Sequence, residues 1–322
     1  MDEKQIELAA QIITSGGLVA FPTETVYGLG ANALNPIAVA KIFELKERPS
    51  FDPLIVHIAS IDALKMLTVN TDRIVFRLAE KFWPGPLTIV LPKSKLIPDI
   101  VTSGLSTVGI RMPDNEIALK LIRKANCPIA APSANKFGQL SPVCAEHVKK
   151  QLPNIDFILD GGSTTVGIES TIISIEGNVC TLLRPGIITI DEIKNTLPES
   201  FPFNLNKPDK LISPGLMKSH YSPFKPLYIY NSEQMKLTQS SGLILHGKKD
   251  LISNGQKIIY TSHTYNHIEI AANLFSALHA MEDDETIKQI FIEPVVEVGL
   301  GIAIMDRVKK AAYKYQTKIQ IT

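Results

Sequence analysis

The sequence predicts an α/β protein of the α+β type, made of two domains with a proline-rich segment between them. A chain of 322 residues with 45% hydrophobic residues is long enough to bury about two cores. Apolar runs typical of strands are mixed with helical periodicity, without strict alternation, which favours a sheet with some antiparallel pairing. Six prolines fall between residues 195 and 226. We therefore place the domains at residues 1–195 and 226–322 and a stiff linker at 196–225.

The first elements follow from periodicity and from helix stop signals. Residues 3–15 place apolar side chains on one helical face and end at Gly16-Gly17, and LVAF follows as a strand. The next stretch, FPTETVYGLG, has more hydroxyls than a core strand needs and more residues than a simple turn needs, so we interpret it as a loop that holds something. A helix begins at Asn35-Pro36, and PLIVHIAS is the next strand. A helix over residues 71–82 ends at WPGP, where the prolines forbid its continuation.

The remaining elements are assigned in the same way. LTIVLP, TVGIRMP, PIAAPSAN and IDFILDGG are predicted strands, and EIALKLIRKAN is a helix. ESTIISIEGNVCTLLRPG contains a hairpin signal at Glu176-Gly177-Asn178. Beyond the linker, PLYIYN, GLILHG, KIIYTS and IKQIFIEPVV are strands, whereas IEIAANLFSALHAME and GLGIAIMDRVKKAAYKY are helices. This pattern predicts a small C-terminal α/β domain.

Composition excludes several classes of protein. The formal charge is +1, from 33 basic and 32 acidic residues, which argues against a protein that coats polyanions. Three cysteines without a CxxC pair, Cys127, Cys144 and Cys180, favour a reducing compartment and no zinc site. The acidic N-terminus is unlike a secretory signal, and no apolar run approaches the roughly 18 residues of a membrane span. We expect a soluble cytoplasmic protein.

Two glycine-containing stretches of the C-terminal domain resemble nucleotide motifs only in part. GLILHGKK nearly matches GxxxxGK[ST], but lysine replaces the hydroxyl residue that would bind magnesium, and LILH is typical of a strand. GLGIAI lacks the third glycine of the dinucleotide fingerprint and more naturally opens the last helix. We expect neither to bind phosphate.

The N-terminal domain has a stronger set of candidate residues in KERPSFDPLIVH. Lys46 and Arg48 stand with Asp52 and His57 around two prolines, at the junction of a helix and a strand. A proline-fixed loop with two cations is suited to holding an anion rigidly. The alternative is a solvated helix end, where cations complement the helix dipole. For His57 the alternative is a histidine of the core.

Other polar residues lie at the predicted strand ends of the same domain. An arginine in an apolar strand, Arg111, requires an anionic partner if it is buried. The serines and the asparagine among these residues have an alternative role in turns and helix caps. No nucleophile motif accompanies the set, which is suited to binding phosphates and carboxylates and to positioning reactants. The residues are Arg111, Ser133, Asn135, Ser141, Glu169, Ser170, Thr171 and Arg184.

Seven motifs in order resemble the YrdC-type family: FPTETVYGLGANA, KERPSFDPLIVHI, FWPGPLTIVL, VGIRMPDN, PSANKFGQLSP, GIESTIIS and LRPG. KER followed by SAN is similar to the KxR…SxN signature of that family. The resemblance covers about residues 5–190. SPGLMKSHYSP and the smaller domain after it resemble the long two-domain form.

The resemblance implies a YrdC-like twisted mixed sheet with helices around a basic cleft, plus a smaller Rossmann-like domain. Members are threonylcarbamoyl-AMP synthases, which are nucleotidyltransferases. They condense L-threonine, bicarbonate and ATP, with Mg²⁺, into threonylcarbamoyl-AMP and pyrophosphate. Downstream transferase proteins use the product to make N6-threonylcarbamoyladenosine in tRNA, and contact with double-stranded RNA is implied.

The resemblance also assigns roles to residues. Catalysis falls to Lys46 and Arg48, and the tyrosine at Tyr221 closes over the nucleotide as part of a lid. Many members have asparagine where this chain has Asp52; a carboxylate there suits the ribose, a base edge or Mg²⁺. The implied threonine contacts are Thr25, His57, Arg111, Ala131 and Ser170. The implied ATP contacts are Arg48, Asp52, Thr107, Ser133, Asn135, Ser141, Arg184 and Tyr221.

Two other functions fit the same basic cleft. An RNA-binding module would use it without chemistry, but stacking aromatics beside the cations are missing from a chain with 7% aromatic residues. A carbamoyl-transfer enzyme would use a YrdC-type domain within a larger multidomain chain. Formation of AMP from ATP that requires both L-threonine and bicarbonate discriminates the synthase from an RNA-binding module.

Overall fold

The computed structural model describes residues 2–69, 72–205, 217–231, 237–248 and 256–319 (316–319 as backbone only). These residues form two compact units. The first comprises Met1–Phe137, Pro142–Thr165 and Glu169–Leu216, and the second Gly138–Ser141, Val166–Ile168 and Met217–Thr322. The domain boundaries at residues 195 and 226 stay a prediction.

The described part of the first unit contains seven α-helices, one short 3₁₀ helix and ten strands. In chain order they are α1 Glu3–Thr14, β1 Val19–Phe21, β2 Gly28–Asn32, α2 Pro36–Lys46, β3 Ile55–His57, the 3₁₀ helix Ile61–Ala63, α3 Leu64–Leu67, α4 Arg73–Phe82, β4 Leu87–Pro92, β5 Thr107–Arg111, α5 Glu116–Ala125, β6 Ile129–Ala130, α6 Ala145–Gln151, β7 Phe157–Ile158, β8 Thr171–Glu176, β9 Val179–Arg184, α7 Ile190–Thr196 and β10 Phe203–Asn204.

The ten strands form one mixed sheet in the order β10-β9-β8-β4-β5-β3-β6-β2-β1-β7. The pairs β1–β2, β2–β6, β3–β6, β4–β5 and β8–β9 are antiparallel. The pairs β1–β7, β3–β5, β4–β8 and β9–β10 are parallel. The predicted mixed sheet is confirmed.

Side chains alternate across the sheet, which places apolar clusters on both of its faces. Val19 and Phe21 of β1 pack with α1 and α5, whereas Ala20 belongs to the cluster with α2 and α4. Asparagine caps begin two of these helices, since the side chains of Asn35 and Asn115 each accept two backbone N–H groups of the first helical turn.

The strand β2 lies in the stretch that the sequence predicts to be part of a loop. Gly30 is required by close packing, because a Cβ there would stand 2.7 Å from the Phe21 ring and 2.8 Å from Ile129. A Cβ on Gly28 would stand 3.3 Å from that of Ala131. The loop is therefore shorter than predicted and ends at Gly28, where β2 begins and its backbone packs closely against neighbouring side chains.

The second unit has a four-stranded parallel sheet and two helices among its described residues. The elements are β11 Leu227–Ile229, β12 Ser241–Leu245, β13 Lys257–Tyr260, α8 His267–Asp283, β14 Gln289–Ile292 and α9 Leu300–Ile319. The strand order is β11-β14-β12-β13, and all three pairings are parallel. This agrees with the predicted Rossmann-like α/β domain, and it places GLIL of the GLILHGKK stretch in a buried strand, as expected.

The predicted linker is partly structured. Its residues Phe203 and Asn204 form β10, which pairs with β9 at the edge of the large sheet. Residues 206–216, which include Pro214-Gly215 of the predicted lid, lie outside the described residues. No helix in the described part of the chain is both long and apolar enough to cross a membrane.

Candidate active site

Polar side chains form a row along one edge of the first unit's sheet. The strands β9, β8, β4, β5 and β3 are consecutive neighbours there. Pairing sets His57 at the end of β3 opposite Arg111 at the end of β5, and Arg184 at the end of β9 opposite Ile172 near the start of β8. All members of the row are buried. In sheet order they are Arg184, Ser170, Thr88, Arg111 and His57.

Lys46 ends helix α2 and ties it to the loop after β6. Its side chain is 1% exposed, and its ammonium donates to the carbonyl oxygens of Ser133, at 2.6 Å, and of Asn135. Burial, followed by the charge of Arg48, holds the pKa of Lys46 well below its ordinary value. The two halves of the KER…SAN pair thus meet directly, through the lysine and two backbone carbonyls.

Arg48 and Asp52 form a buried ion pair within one turn of the loop that follows α2. The guanidinium Nη2 lies 2.9 Å from Asp52 Oδ2, and Arg48 also donates to the carbonyls of Asp52 and Pro53 at 3.1 and 2.9 Å. Burial raises the pKa of the Asp52 carboxyl, and the charges of Arg48, Lys46 and Arg184 oppose that rise. Three of the four predicted cations therefore act on one carboxyl group, so the fold brings them together.

Arg184 joins this group to the row at the sheet edge. Its Nε and Nη2 donate to the carbonyl and the hydroxyl of Ser170, each at 3.1 Å. The Ser170 hydroxyl lies 2.8 Å from that of Thr88. Because the N–H groups of a guanidinium have a rigid planar arrangement, these two hydrogen bonds fix the orientation of both the Arg184 and the Ser170 side chains.

Arg111 has the anionic partner that its buried position requires, and the partner is Glu24. The Arg111 Nη2 lies 2.6 Å from Glu24 Oε2, and both side chains are about 5% exposed. Arg111 also donates to the Thr25 hydroxyl at 2.9 Å and, at 3.4 Å, to the carbonyl of Gly85. The loop between β1 and β2 is thereby fastened to the end of β5.

The hydroxyls of this loop form hydrogen bonds within the loop and so stabilise its conformation. Thr23 Oγ1 donates to the carbonyl of Val26 at 2.6 Å and accepts from the backbone N–H groups of Thr25 and Val26. The Thr23 and Thr25 hydroxyls lie 2.8 Å apart. Tyr27, the next polar residue, donates from its hydroxyl to Gly162. The loop thus keeps the Thr25 hydroxyl and the Glu24 carboxylate beside Arg111.

His57 is a neutral histidine in this structure. It is 3% exposed and stands edge-on to Phe21, with ring centroids 6.0 Å apart. Burial, followed by the charge of Arg111, lowers the pKa of His57 to about 3. Its ring therefore offers one donor and one acceptor at neutral pH and carries no charge.

The remaining predicted residues have different surroundings. Ala131 is buried after β6, while Ser133 and Thr107 are half-buried in the first unit. Asn135 is buried, and its amide donates to the Lys136 carbonyl. Ser141 and Tyr221 belong to the second unit. There the Ser141 carbonyl lies 3.1 Å from His279 Nε2, and Tyr221, with a φ of 59°, packs on Phe275.

Sequence reasoning missed three residues of this site. Glu24, Thr23 and Thr88 fall within the motifs of the predicted family, but they are not among the candidate residues that the sequence predicts. The sequence offers no signal for Glu24, because a glutamate in a loop usually faces solvent and only the structure shows that this one is buried. The arrangement as a whole offers fixed cations, hydroxyls and backbone carbonyls at a sheet edge. Such an arrangement is suited to holding an anion in a fixed orientation.

The chain is similar to known proteins along almost its whole length. Residues 11–186 match the Sua5–YciO–YrdC family, described as Telomere recombination. Residues 188–313 match the threonylcarbamoyl-AMP synthase C-terminal domain. The Pyrococcus abyssi threonylcarbamoyl-AMP synthase is 43% identical over 97% of this chain and 95% of its own. The Bacillus subtilis threonylcarbamoyl-AMP synthase is 40% identical over 97% and 94%.

A solved structure extends the likeness to the fold. The crystal structure of P. abyssi Sua5 complexed with L-threonine superposes with a TM-score of 0.87 at 41% identity, and it covers 98% of this chain and 96% of that one. Escherichia coli YciO, at 24% identity and a TM-score of 0.51 over 58% of this chain, shares the fold. Both matching regions and nearly full-length likeness lead to one conclusion: the chain belongs to the threonylcarbamoyl-AMP synthase family, in its two-domain form.

Proposed function

We propose that this protein is an L-threonylcarbamoyladenylate synthase, which condenses L-threonine, bicarbonate or CO₂, and ATP into threonylcarbamoyl-AMP and pyrophosphate. The observation that carries the proposal is likeness to synthases of this name along almost the whole chain, at 40 to 43% identity. The row of buried cations and hydroxyls supports it, because ATP and bicarbonate are anions and threonine carries a carboxylate.

The threonine end of the site is proposed to be the group around Arg111. A guanidinium matches a carboxylate with two parallel hydrogen bonds, which suits Arg111 to the carboxylate of an amino acid. Thr25, neutral His57 and Ser170 offer hydroxyl and ring nitrogen partners for the rest of the substrate, and Ala131 adds a small apolar wall.

The nucleotide end is proposed to be the group around Arg48, Asp52 and Arg184, with Thr107, Ser133 and Asn135. Its cations would neutralise the phosphates, and Lys46 would position the loop that contains Ser133 and Asn135. Because Asp52 is held by Arg48, its carboxylate is partly neutralised, which reduces its repulsion of a phosphate. ATP contacts at Ser141 and Tyr221 stay predictions.

The chemistry needs no nucleophile from the protein. The threonine amine forms a carbamate with bicarbonate or CO₂, the carbamate oxygen attacks the α-phosphorus of ATP, and pyrophosphate leaves. Phosphoryl transfer of this kind is accelerated by in-line positioning and by charges fixed around the reacting oxygens. Buried arginines tied to backbone carbonyls supply such charges without reorganising during the reaction.

The described residues form no cluster that would hold a magnesium ion without the phosphates of a nucleotide. They include no group of three or more His, Cys, Asp or Glu side chains that could bind a metal. Among the carboxylates of the site, Glu24 and Asp52 each face an arginine. Mg²⁺ is therefore proposed only as an ion that accompanies the phosphates of ATP, and no step is assigned to it.

The wider role follows from the product. We propose that threonylcarbamoyl-AMP passes to transferase proteins that modify tRNA, and that the reaction takes place in the cytoplasm. Contact with tRNA or other double-stranded RNA stays a prediction.

The test is release of pyrophosphate from ATP by the purified chain. We expect release only when both L-threonine and bicarbonate are present, with a product of the mass of threonylcarbamoyl-AMP. Omitting each substrate in turn is the control. Pyrophosphate release that ignores threonine would refute the proposal, and binding of RNA without any turnover would favour the RNA-binding alternative.

A further inference from the structure

The Glu24 carboxylate is buried and incompletely bonded. It is 6% exposed, and neither oxygen forms a hydrogen bond of regular geometry with any described residue. The same is true of Arg111 Nη2, although it lies only 2.6 Å from Glu24 Oε2. At that distance the contact fails as a hydrogen bond because the N–H bonds do not point at the oxygen.

Such a pair leaves an acceptor and a donor to be satisfied by something else. A carboxylate accepts hydrogen bonds only, whereas a guanidinium donates only. A zwitterionic amino acid presents the complement, with three N–H donors on its ammonium and two acceptor oxygens on its carboxylate. Buried polar groups without partners are costly, so a ligand with this pattern is stabilised by completing both halves of the pair.

We propose that Glu24 binds the ammonium group of the substrate amino acid and accepts the proton that must leave it before the carbamate forms. This inference rests on the proposed function. One proton passes from the ammonium to the Glu24 carboxylate, which frees the nitrogen lone pair. The lone pair forms the C–N bond with bicarbonate, and the C–OH bond breaks. The departing hydroxide takes a second proton from nitrogen and leaves as water, and Glu24 later releases its proton to solvent.

The other titratable groups named in the site have different surroundings. Arg111, from β5, is a permanent cation. His57, from β3, has a pKa lowered to about 3 and holds a proton only weakly. Lys46 has its side-chain nitrogen bound to two backbone carbonyls, and Asp52 is paired with Arg48. Glu24 is the carboxylate that faces the arginine proposed to bind the substrate.

The test compares the wild type with Glu24→Gln, which keeps the size of the side chain and removes its basicity. Initial rates are measured at saturating ATP and bicarbonate over a range of threonine concentrations, between about pH 6.5 and 9. The matched control is Glu7→Gln, the same exchange at a glutamate on α1 that is 55% exposed. Using the ratio of wild-type to variant rates at each pH cancels the pH dependence of bicarbonate and ATP.

We expect Glu24→Gln to lower kcat by about 10²-fold at neutral pH, as is usual for loss of a general base. The ratio of wild-type to variant rates should fall as the pH rises, because solution then supplies more of the neutral amine. An increase in KM alone, with a ratio that is constant across the pH range, would overturn the inference and leave Glu24 as a charge partner of Arg111.

A second variant keeps the test decisive if Glu24→Gln fails to fold. Glu24→Asp keeps the carboxylate but moves it away from the substrate ammonium by the length of one methylene. We therefore expect kcat to fall about tenfold, with the same dependence on pH as in the wild type. Unchanged kcat in Glu24→Asp, with only KM raised, would again overturn the inference. A wild type that makes no threonylcarbamoyl-AMP would refute the proposed function itself, which is a separate outcome.

Discussion

Two buried arginine–carboxylate pairs lie in the same unit, and they differ in how each is completed. Arg48 and Asp52 are four residues apart, and Arg48 donates to two carbonyls of its own loop besides touching the carboxylate. Arg111 and Glu24 are distant in sequence and meet side-on, and neither oxygen of Glu24 has a regular hydrogen bond among the described residues. Asp52 Oδ2 also lacks one, so the two pairs differ in the arginine: Arg48 is bonded to carbonyls of its own loop, whereas Arg111 joins two distant segments and leaves both Glu24 oxygens for a ligand.

The largest effect is expected from Arg111→Met, which removes the cation from the second pair. Glu24 would remain buried without a counter-charge, so the free energy of unfolding should fall by about 3–5 kcal/mol. Urea denaturation measures the loss. The double variant Arg111→Met with Glu24→Gln should be more stable than the sum of the single changes predicts, because the unpaired charge is gone. Strict additivity would mean that the two side chains are not coupled.

Arg48→Lys should have a smaller effect on stability and a marked effect on ATP. The lysine keeps the charge but loses the planar set of donors that reaches the Asp52 and Pro53 carbonyls. We expect kcat/KM for ATP to fall about ten- to a hundredfold, equivalent to about 1.5–3 kcal/mol. Steady-state pyrophosphate release measures it. The control is Arg73→Lys, the same exchange at an exposed position of α4, and an equal loss there would contradict the assignment.

The two pairs also show which contacts can be predicted from the sequence and which cannot. Asp52 stands four residues from Arg48, so their proximity in the loop could be predicted, and so could most strands and helix starts, such as the Asn35 cap. The sequence indicated that Arg111 needs an anion, but the choice of Glu24 depends on the register of strands far apart in the chain. Long-range register is decided by packing of the whole sheet, which local patterns do not contain.

The strand β2 was missed for a related reason. GLGAN has little strand propensity, because glycine adds no packing surface, and the sequence therefore favoured a loop. Gly30 is instead required where Phe21 and Ile129 pack against the backbone, a constraint imposed by neighbouring strands. The burial of Arg48 and Arg184 was likewise not visible, since both stand in turn-rich stretches that usually face solvent.

His57, which pairs with Arg111 across neighbouring strands, should make the free energy of unfolding depend on pH. Its pKa is lowered to about 3 in the folded chain, against about 6.5 when unfolded. The unfolded state therefore binds the extra proton between these values. The stabilisation is fully present above about pH 6.5 and is lost as the pH falls towards 3, at about 1.4 kcal/mol per pH unit. Urea unfolding between pH 4 and 7 should show a shallower pH dependence in His57→Gln than in wild type.

The exposed histidine His263 provides the control for this measurement. His263→Gln should keep the wild-type slope, whereas Arg111→Met should move the change in slope to higher pH, because the charge of Arg111 contributes to the lowered pKa of His57. If His57→Gln leaves the slope unchanged, His57 is not held neutral by the fold.

The smallest effect is expected at an ion pair that has water around it. Lys124 lies 3.1 Å from Glu7 on the surface of the first unit, with side chains 42% and 55% exposed, and the pair raises the pKa of Lys124. Solvent screens such charges, and holding two long side chains together costs conformational entropy. Lys124→Gln should therefore leave the Tm of the wild type unchanged within the error of a thermal melt, at low and at high salt. A decrease in Tm comparable to that of Arg111→Met would mean that burial is not what separates the strong pairs from the weak one, and the contrast between the two buried arginines would then need another physical cause.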